Sequence, residues 1–217
     1  MSHKRTSMDF LIDGPAEAPH TFVFAHGAGG PMDTPFMTAI ARGLAARGIR
    51  VVRFEFPYMA ARRIGKRNGA PDREPVLLQA WRDAVGAQPS GTRIAIGGKS
   101  LGGRVASMVA DELAVDGLVC FGYPFHPASQ PQRLRTAHLQ SLRTPALIIQ
   151  GERDPFGNAT EVVRYQLAKT IRLAWMPDGD HSFKPRVKSG ATEAGNLGQT
   201  VELAAAFIRG LAPGRKA

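Results

Sequence analysis

The stretch Ile94-Ala-Ile-Gly-Gly98-Lys-Ser100-Leu-Gly102-Gly-Arg-Val-Ala-Ser-Met-Val-Ala110 constrains the fold more than any other. An apolar β-branched run meets a run with helical spacing across one abrupt turn, which reads as a buried strand, a tight turn and a helix. Ser100 sits in the turn, flanked by Gly98 and Gly102 in the pattern G-x-S-x-G. A serine in such a turn is pushed toward positive φ, and its neighbours two residues away must be nearly atomless for the backbone to fold past it. The turn lifts the hydroxyl to the top of a sheet. It also aims the free N–H groups of the helix N-terminus at whatever lies beside it, a place to stabilise an oxyanion. Lys99-Ser100 also invites the phosphate-loop pattern G-x-x-x-x-G-K-[ST], but its first glycine would fall at Arg93.

The rest of the chain alternates short apolar strands with amphipathic helices. Strands are expected at 8–13 (an edge strand), 21–25, 50–56, 93–97, 117–121, 146–150 and 171–176. Helices are expected from about 36 to near 48, over 76–85 with Trp81 on the apolar face, over 101–113, near 132–142, from 157 to about 167, and over 199–211. Pro57-Tyr58-Met59 leads into a loop over 60–73 carrying Arg62, Arg63, Lys66, Arg67 and Arg73. Such alternation implies an α/β fold: a mostly parallel, doubly wound sheet of about six to seven strands flanked by helices, with its chemistry at the carboxyl ends of the strands.

At 217 residues the chain fits one domain over 1–217, with 1–7 and 213–217 expected as flexible tails. A domain of this size removes roughly 70% of its unfolded surface from water and needs no covalent staple. Cys120 is the only cysteine, so no internal disulfide can form, and its apolar run Leu118-Val-Cys-Phe121 reads as core. Met1-Ser-His-Lys-Arg-Thr-Ser7 has no apolar segment after its basic residues, and nothing downstream approaches the roughly 18 apolar residues of a membrane span. A soluble, cytoplasmic protein is expected. The net charge of +10 comes without a nucleic-acid module or an aromatic RNA-binding pattern, so a basic solvated surface is expected rather than a nucleic-acid partner.

A serine hydroxyl needs a base, and the base needs an orienting acid. Asp154 follows the strand over 146–150, and His181 follows the strand over 171–176. The order Ser, Asp, His at successive strand ends is that of the α/β-hydrolases. Asp178, Asp180 and Glu152 compete as the acid; Asp154 is preferred because Asp180 adjoins the histidine and cannot easily turn back to its Nδ1. The oxyanion donors are expected to be the N–H groups of Leu101 and Ala28. Candidate substrate contacts are His26, Gly27, Tyr58, Lys99, His126 and Phe183. Aromatics and histidines near strand ends are as often packing, and His26 reads first as a structural hydrogen-bonding residue. No Cys or His cluster has metal-ligand spacing, and neither metal nor organic cofactor is called for.

The loop His26-Gly27-Ala28-Gly29-Gly30 resembles the H-G-G-G-type loop of lipases and esterases, and from Thr21 onward the chain resembles the α/β-hydrolase superfamily. More narrowly, five segments are similar to a small group related to dienelactone hydrolases. They are His26-Gly-Ala-Gly-Gly-Pro-Met-Asp33, Phe54-Glu-Phe-Pro-Tyr-Met59, Gly98-Lys-Ser-Leu-Gly-Gly-Arg104, Gly122-Tyr-Pro-Phe-His-Pro127 and His181-Ser-Phe-Lys-Pro185. That group includes bacterial proteins and the hydrolase-like domain of a eukaryotic chromatin-complex (NSL) subunit. The resemblance implies the fold and the triad but no particular substrate, and dienelactone hydrolases carry cysteine where this chain has Ser100.

Only residues 122–145 separate two of the strands, where larger relatives insert a lid, so an open site for small or surface-presented acyl groups is expected. The cations of the 60–73 loop raise an anionic substrate as a hypothesis, against a merely solvated loop. The expected function is a serine hydrolase of carboxylesterase or thioesterase type acting on an ester or thioester through an acyl-enzyme. The competing expectation is a hydrolase-fold interaction module, with a polyanionic partner on the basic loop.

Overall fold

The computed structural model describes residues 8–66 and 70–212. Within them one sheet has the strand order β1-β3-β2-β4-β5-β6-β7. Its strands are β1 (Phe10–Asp13), β2 (His20–Ala25), β3 (Arg50–Phe54), β4 (Arg93–Lys99), β5 (Gly117–Phe121), β6 (Ala146–Gly151) and β7 (Ile171–Met176). β1 pairs antiparallel with β3, and all other pairings are parallel. Every residue of β2, β5 and β6 is buried, as their unbroken apolar runs require of strands covered on both faces.

The helices are α1 (Pro35–Ala45), α2 (Pro57–Arg63), α3 (Glu74–Gly86), α4 (Leu101–Val109), α5 (Ala159–Val162) and α6 (Glu193–Arg209). Side chains alternate across the sheet. Val23, Ile96, Leu118 and Ile148 pack against Leu77 and Trp81 of α3 and Val105 and Val109 of α4. Phe22, Phe24, Val119, Phe121 and Ile149 pack instead against Met37, Ile40 and Leu44 of α1 and Val201, Ala204 and Ile208 of α6. Burying each large apolar side chain contributes about 1.5–3 kcal/mol. These two layers therefore hold the sheet in a fixed plane between α3 and α4 on one side and α1 and α6 on the other.

The connection after β2 runs through α1 to β3, and that after β4 runs through α4, on the opposite face, to β5. Between β2 and β4 the winding reverses, which opens a crevice outside their carboxyl ends. The register brings the strand ends nearly level there: Ala25 lies opposite Gly98, Lys99 opposite Phe121, Phe121 opposite Ile149, and Gly151 opposite Met176.

Several elements differ from expectation. Residues 57–63 form a helix rather than the start of a loop, because Pro57 occupies the first helical turn, where its missing N–H costs nothing. Residues 132–142 contain only a 3-10 turn, Ala137–Gln140, since the Arg135 N–H is taken by the Phe125 carbonyl at 2.7 Å. α4 stops at Val109 and α5 at Val162, both short of expectation, while α6 begins earlier, at Glu193. The tails 1–7 and 213–217, and Arg67 of the basic loop, lie outside the described residues.

Candidate active site

Ser100 joins β4 to α4 at φ +50° and ψ −112°. Its N–H donates to the Phe121 carbonyl at 3.0 Å, and its own carbonyl accepts the Arg104 N–H at 3.0 Å, so the strained residue is pinned from both sides. A backbone held there costs about 1–3 kcal/mol. The flanking glycines are steric necessities: a Cβ on Gly98 would lie 2.6 Å from the Ala25 carbonyl oxygen, and one on Gly102 would meet the same oxygen at 2.6 Å. Among the described residues the Ser100 hydroxyl has no hydrogen-bond partner.

His181 follows β7, and its Nδ1–H donates to Oδ2 of Asp154 at 2.7 Å. Asp154 is 0% exposed, and its other oxygen accepts the Phe156 N–H at 2.9 Å. The Phe156 ring lies 4.5 Å from the imidazole. The competing acids are engaged elsewhere. Asp178 pairs with Arg186 and Arg153, Asp180 caps the turn through the Ser182 and Lys184 N–H groups, and Glu152 accepts the Asp178 N–H.

On the other side of Ser100 runs the loop that follows β2. A Cβ on Gly27 would stand 3.7 Å from Cβ of Ser100, so this backbone passes directly beside the serine. Buried His26 accepts the Phe56 N–H on Nε2 at 3.1 Å, which leaves Nδ1–H to donate to the Gly27 carbonyl at 2.7 Å. Burial holds the pKa of this imidazole below its ordinary value. The Tyr58 hydroxyl reaches the same loop, at 3.3 Å from the Gly27 carbonyl and 3.1 Å from that of Ala28. In a trans peptide C=O and N–H point opposite ways, so fixing the Gly27 carbonyl fixes the direction of the Ala28 N–H. Neither that N–H nor the N–H of Leu101 has a protein acceptor among the described residues.

A family model described as an alpha/beta hydrolase domain matches residues 18–209. The chain belongs to this family. Among solved structures, it is similar to a dienelactone hydrolase from Anabaena variabilis, with 23% identity, a TM-score of 0.74, and coverage of 97% of this chain and 95% of that one. It is also similar to an alpha-beta serine hydrolase homologue from Coxiella burnetii, with 24% identity, a TM-score of 0.69, and coverage of 94% and 92%. A serine hydrolase without lid from Xanthomonas campestris matches at 23% identity and a TM-score of 0.68, covering 94% and 91%.

Four of the six residues expected against substrate are buried in this alpha/beta hydrolase, three of them with their polar side-chain atoms turned toward protein. His26 and Tyr58 support the loop after β2. His126 bonds the Pro127 carbonyl at 2.9 Å and Glu161 at 3.3 Å, tying the segment after β5 to α5. Phe183 packs 5.6 Å from the ring of Phe36. Gly27 and Lys99 are partly exposed, and Nζ of Lys99 donates to the His181 carbonyl.

The basic segment is also less free than its sequence suggests. Arg63 is held by Asp33 at 2.9 Å and Glu55 at 2.6 Å, and Arg62 lies 5.2 Å over the Tyr58 ring. Together with Pro31 and Met59 they line a cavity of about 250 Å³. Among the described residues no group of three or more His, Cys, Asp or Glu is placed to hold a metal, and no helix is long and apolar enough to cross a membrane.

Two supporting residues escape a sequence reading. Gln150 is wholly buried at the end of β6, where Nε2 donates to Asp154 Oδ2 at 3.0 Å and Oε1 accepts the Tyr123 N–H at 2.7 Å. Asn196 of α6 donates from Nδ2 to the carbonyls of Pro177 and Phe183, on both sides of His181. The one signal for Gln150 is a lone amide closing the apolar run Ala146-Leu-Ile-Ile-Gln150.

Proposed function

We propose that the protein is a serine hydrolase that cleaves an ester or thioester through an acyl-enzyme intermediate. The observation that carries this reading is the 2.7 Å bond from His181 to buried Asp154, at the same rim as a serine held at φ +50°. With Nδ1–H committed to the carboxylate, Nε2 is the nitrogen left to take the Ser100 proton. Attack by Oγ on the acyl carbon then drives negative charge onto the carbonyl oxygen. The N–H groups of Leu101 and Ala28 receive that charge; one such donor is worth about 10²–10³ in rate. His181 returns the proton to the departing alcohol or thiol, and water repeats the sequence to free the acid. Nucleophile–base hydrogen bonds are often loose without substrate and tighten in the Michaelis complex, which accords with the unpartnered Ser100 hydroxyl.

The short connection over 122–145 carries no cap, which favours small or surface-presented acyl groups. Of the two arginines beside Tyr58 and Glu55, Arg63 is neutralised by Asp33 and Glu55, which leaves Arg62, over the Tyr58 ring, as the better candidate to attract an anionic substrate. The Anabaena relative is a dienelactone hydrolase, which is in keeping with a small cyclic or open-chain ester here.

Labelling by a fluorophosphonate tests the reading. The native protein is expected to label, Ser100→Ala not at all and His181→Ala very slowly, with an acyl-chain-length panel then defining the substrate. A folded native protein that does not label would instead support a binding module built on the hydrolase fold.

A further inference from the structure

We propose that Lys99 is a positioning residue for the general base: its ammonium, set beside the rings of Phe36 and Phe183, holds the main chain of His181 in register with Ser100. This rests on the serine-hydrolase reading and adds to it a residue that touches neither acyl group nor leaving group.

Lys99 is the last residue of β4 and the covalent neighbour of Ser100. Its Nζ donates to the carbonyl of His181, joining the nucleophile's strand to the base's loop through one side chain. The ammonium stands 5.5 Å from the centroid of Phe36 and 5.9 Å from that of Phe183, within the range of cation–π attraction. Gly122 forms the floor of this junction. A Cβ there would lie 2.8 Å from Nζ, 2.8 Å from the His181 carbonyl oxygen and 3.2 Å from its Nδ1, so the three residues meet without spare room.

Packing alone does not call for a lysine at this place. Burial lowers its pKa to about 8, although the facing carboxylates of Asp154 and Asp180 act in the opposite sense. A methionine would fill the same aromatic slot without desolvating a charge. What a methionine cannot do is donate to the carbonyl of residue 181. The loop needs that hold: Asp178 and Phe183 both sit at positive φ, +48° and +69°. Asn196 and Asp180 secure the flanks, through the Pro177 and Phe183 carbonyls and the Ser182 and Lys184 N–H groups. Among the described residues Lys99 alone bonds the carbonyl of His181 itself. If the carbonyl drifts, the imidazole turns with it, and a displacement near 1 Å can cost about 10²-fold in rate.

The test compares native protein, Lys99→Met, and Lys99→Cys alkylated either with 2-bromoethylamine, which rebuilds the lysine shape with sulfur in the chain, or with 1-iodopropane, which restores bulk without charge. Cys120 is buried and stays out of the alkylation. Lys99→Met is expected to lower kcat for a neutral ester, and the fluorophosphonate labelling rate, by about 10- to 100-fold with KM nearly unchanged. Aminoethylation should restore most of the loss and propylation should not. The native labelling rate should fall on the alkaline side as Lys99 loses its charge, because the neutral amine is a weaker donor and is no longer attracted to the Phe36 and Phe183 rings, and aminoethylation should move that limb to lower pH because its amine is more acidic. The inference is overturned if Lys99→Met labels at the native rate, if the two alkylations restore activity equally, or if the alkaline limb does not move. Should Lys99→Met fail to fold, the limb and the paired alkylations still decide. Native protein that does not label at Ser100 removes the hydrolase reading and this inference together; native labelling with an indifferent Lys99→Met removes this inference alone.

Discussion

Gln150 donates from Nε2 to Oδ2 of Asp154 at 3.0 Å, the same oxygen that receives the His181 Nδ1–H. The acid is thus oriented by an amide that is itself fixed, through Oε1 on the Tyr123 N–H and Nε2 on the Gly157 carbonyl. Replacing Gln150 by Leu leaves these buried groups unpaired and frees the carboxylate to turn. The expected cost is about 2–4 kcal/mol in urea denaturation. Misplacing the imidazole that Asp154 orients by about 1 Å can cost about 10²-fold, so kcat should fall by up to roughly that factor while KM holds.

Tyr58 makes the matching prediction on the other side of the serine. Tyr58→Phe keeps the ring under Arg62 and removes only the hydroxyl that holds the Gly27 and Ala28 carbonyls. Stability should drop by about 1 kcal/mol, and acylation should slow several-fold through a less well aimed Ala28 N–H. Burial pushes the Tyr58 pKa up to about 12, so the defect should be the same across neutral and mildly alkaline pH in a rate–pH profile.

His26 introduces an acid sensitivity. Its Nε2 accepts the Phe56 N–H, so a protonated ring would set donor against donor. Burial lowers its folded-state pKa from 6.5. Between that lowered value and 6.5 the unfolded chain binds more protons than the folded one. Stability is therefore full above 6.5 and lost as pH falls through the lowered value. Urea midpoints measured on the acid side should flatten with pH in His26→Gln; they should not become fully flat, since burial lowers the pKa of His138 and His20 in the same direction.

Ser100 itself carries a stability cost. Glycine tolerates φ +50° freely, so Ser100→Gly should raise thermal stability by about 1 kcal/mol while abolishing labelling. A Tm unchanged or lowered in that variant would show that the elbow is not strained.

The fold was legible because its information is periodic. The helices carry a 3.6-residue period, while runs such as Thr21-Phe-Val-Phe-Ala25 and Ala146-Leu-Ile-Ile-Gln150 are too short for helices and too continuous for half-exposed strands, and the elbow at Ser100 placed the strand ends. Local pattern misled where tertiary bonds overrode it. Leu134, Leu139 and Leu142 hint at a helix, but the bonds of Arg135 to the Phe125 carbonyl and of Ala168 to the Leu139 carbonyl hold the segment in a loop. The α2 helix was signalled by Pro57, a helix-start residue that also reads as a loop opener. The Asp154–His181 pair was legible from order along the chain. The supports were not: Tyr58 on Ala28, Gln150 on Asp154 and Lys99 on His181 depend on the register of several strands, which no single segment encodes.

The bare connection between β5 and β6 has a practical consequence. Its ends are anchored in the core by Tyr123, Phe125, Leu139 and Leu142, whereas residues 128–134 form an exposed tip. Exposed tips accept foreign sequence more readily than anchored backbone does. Sequence inserted at that tip would enter an exposed stretch and pass through none of the elements that hold Ser100, Asp154 or His181. The scaffold thus offers a place where a new segment could be added while the bonds that hold the candidate site stay as they are.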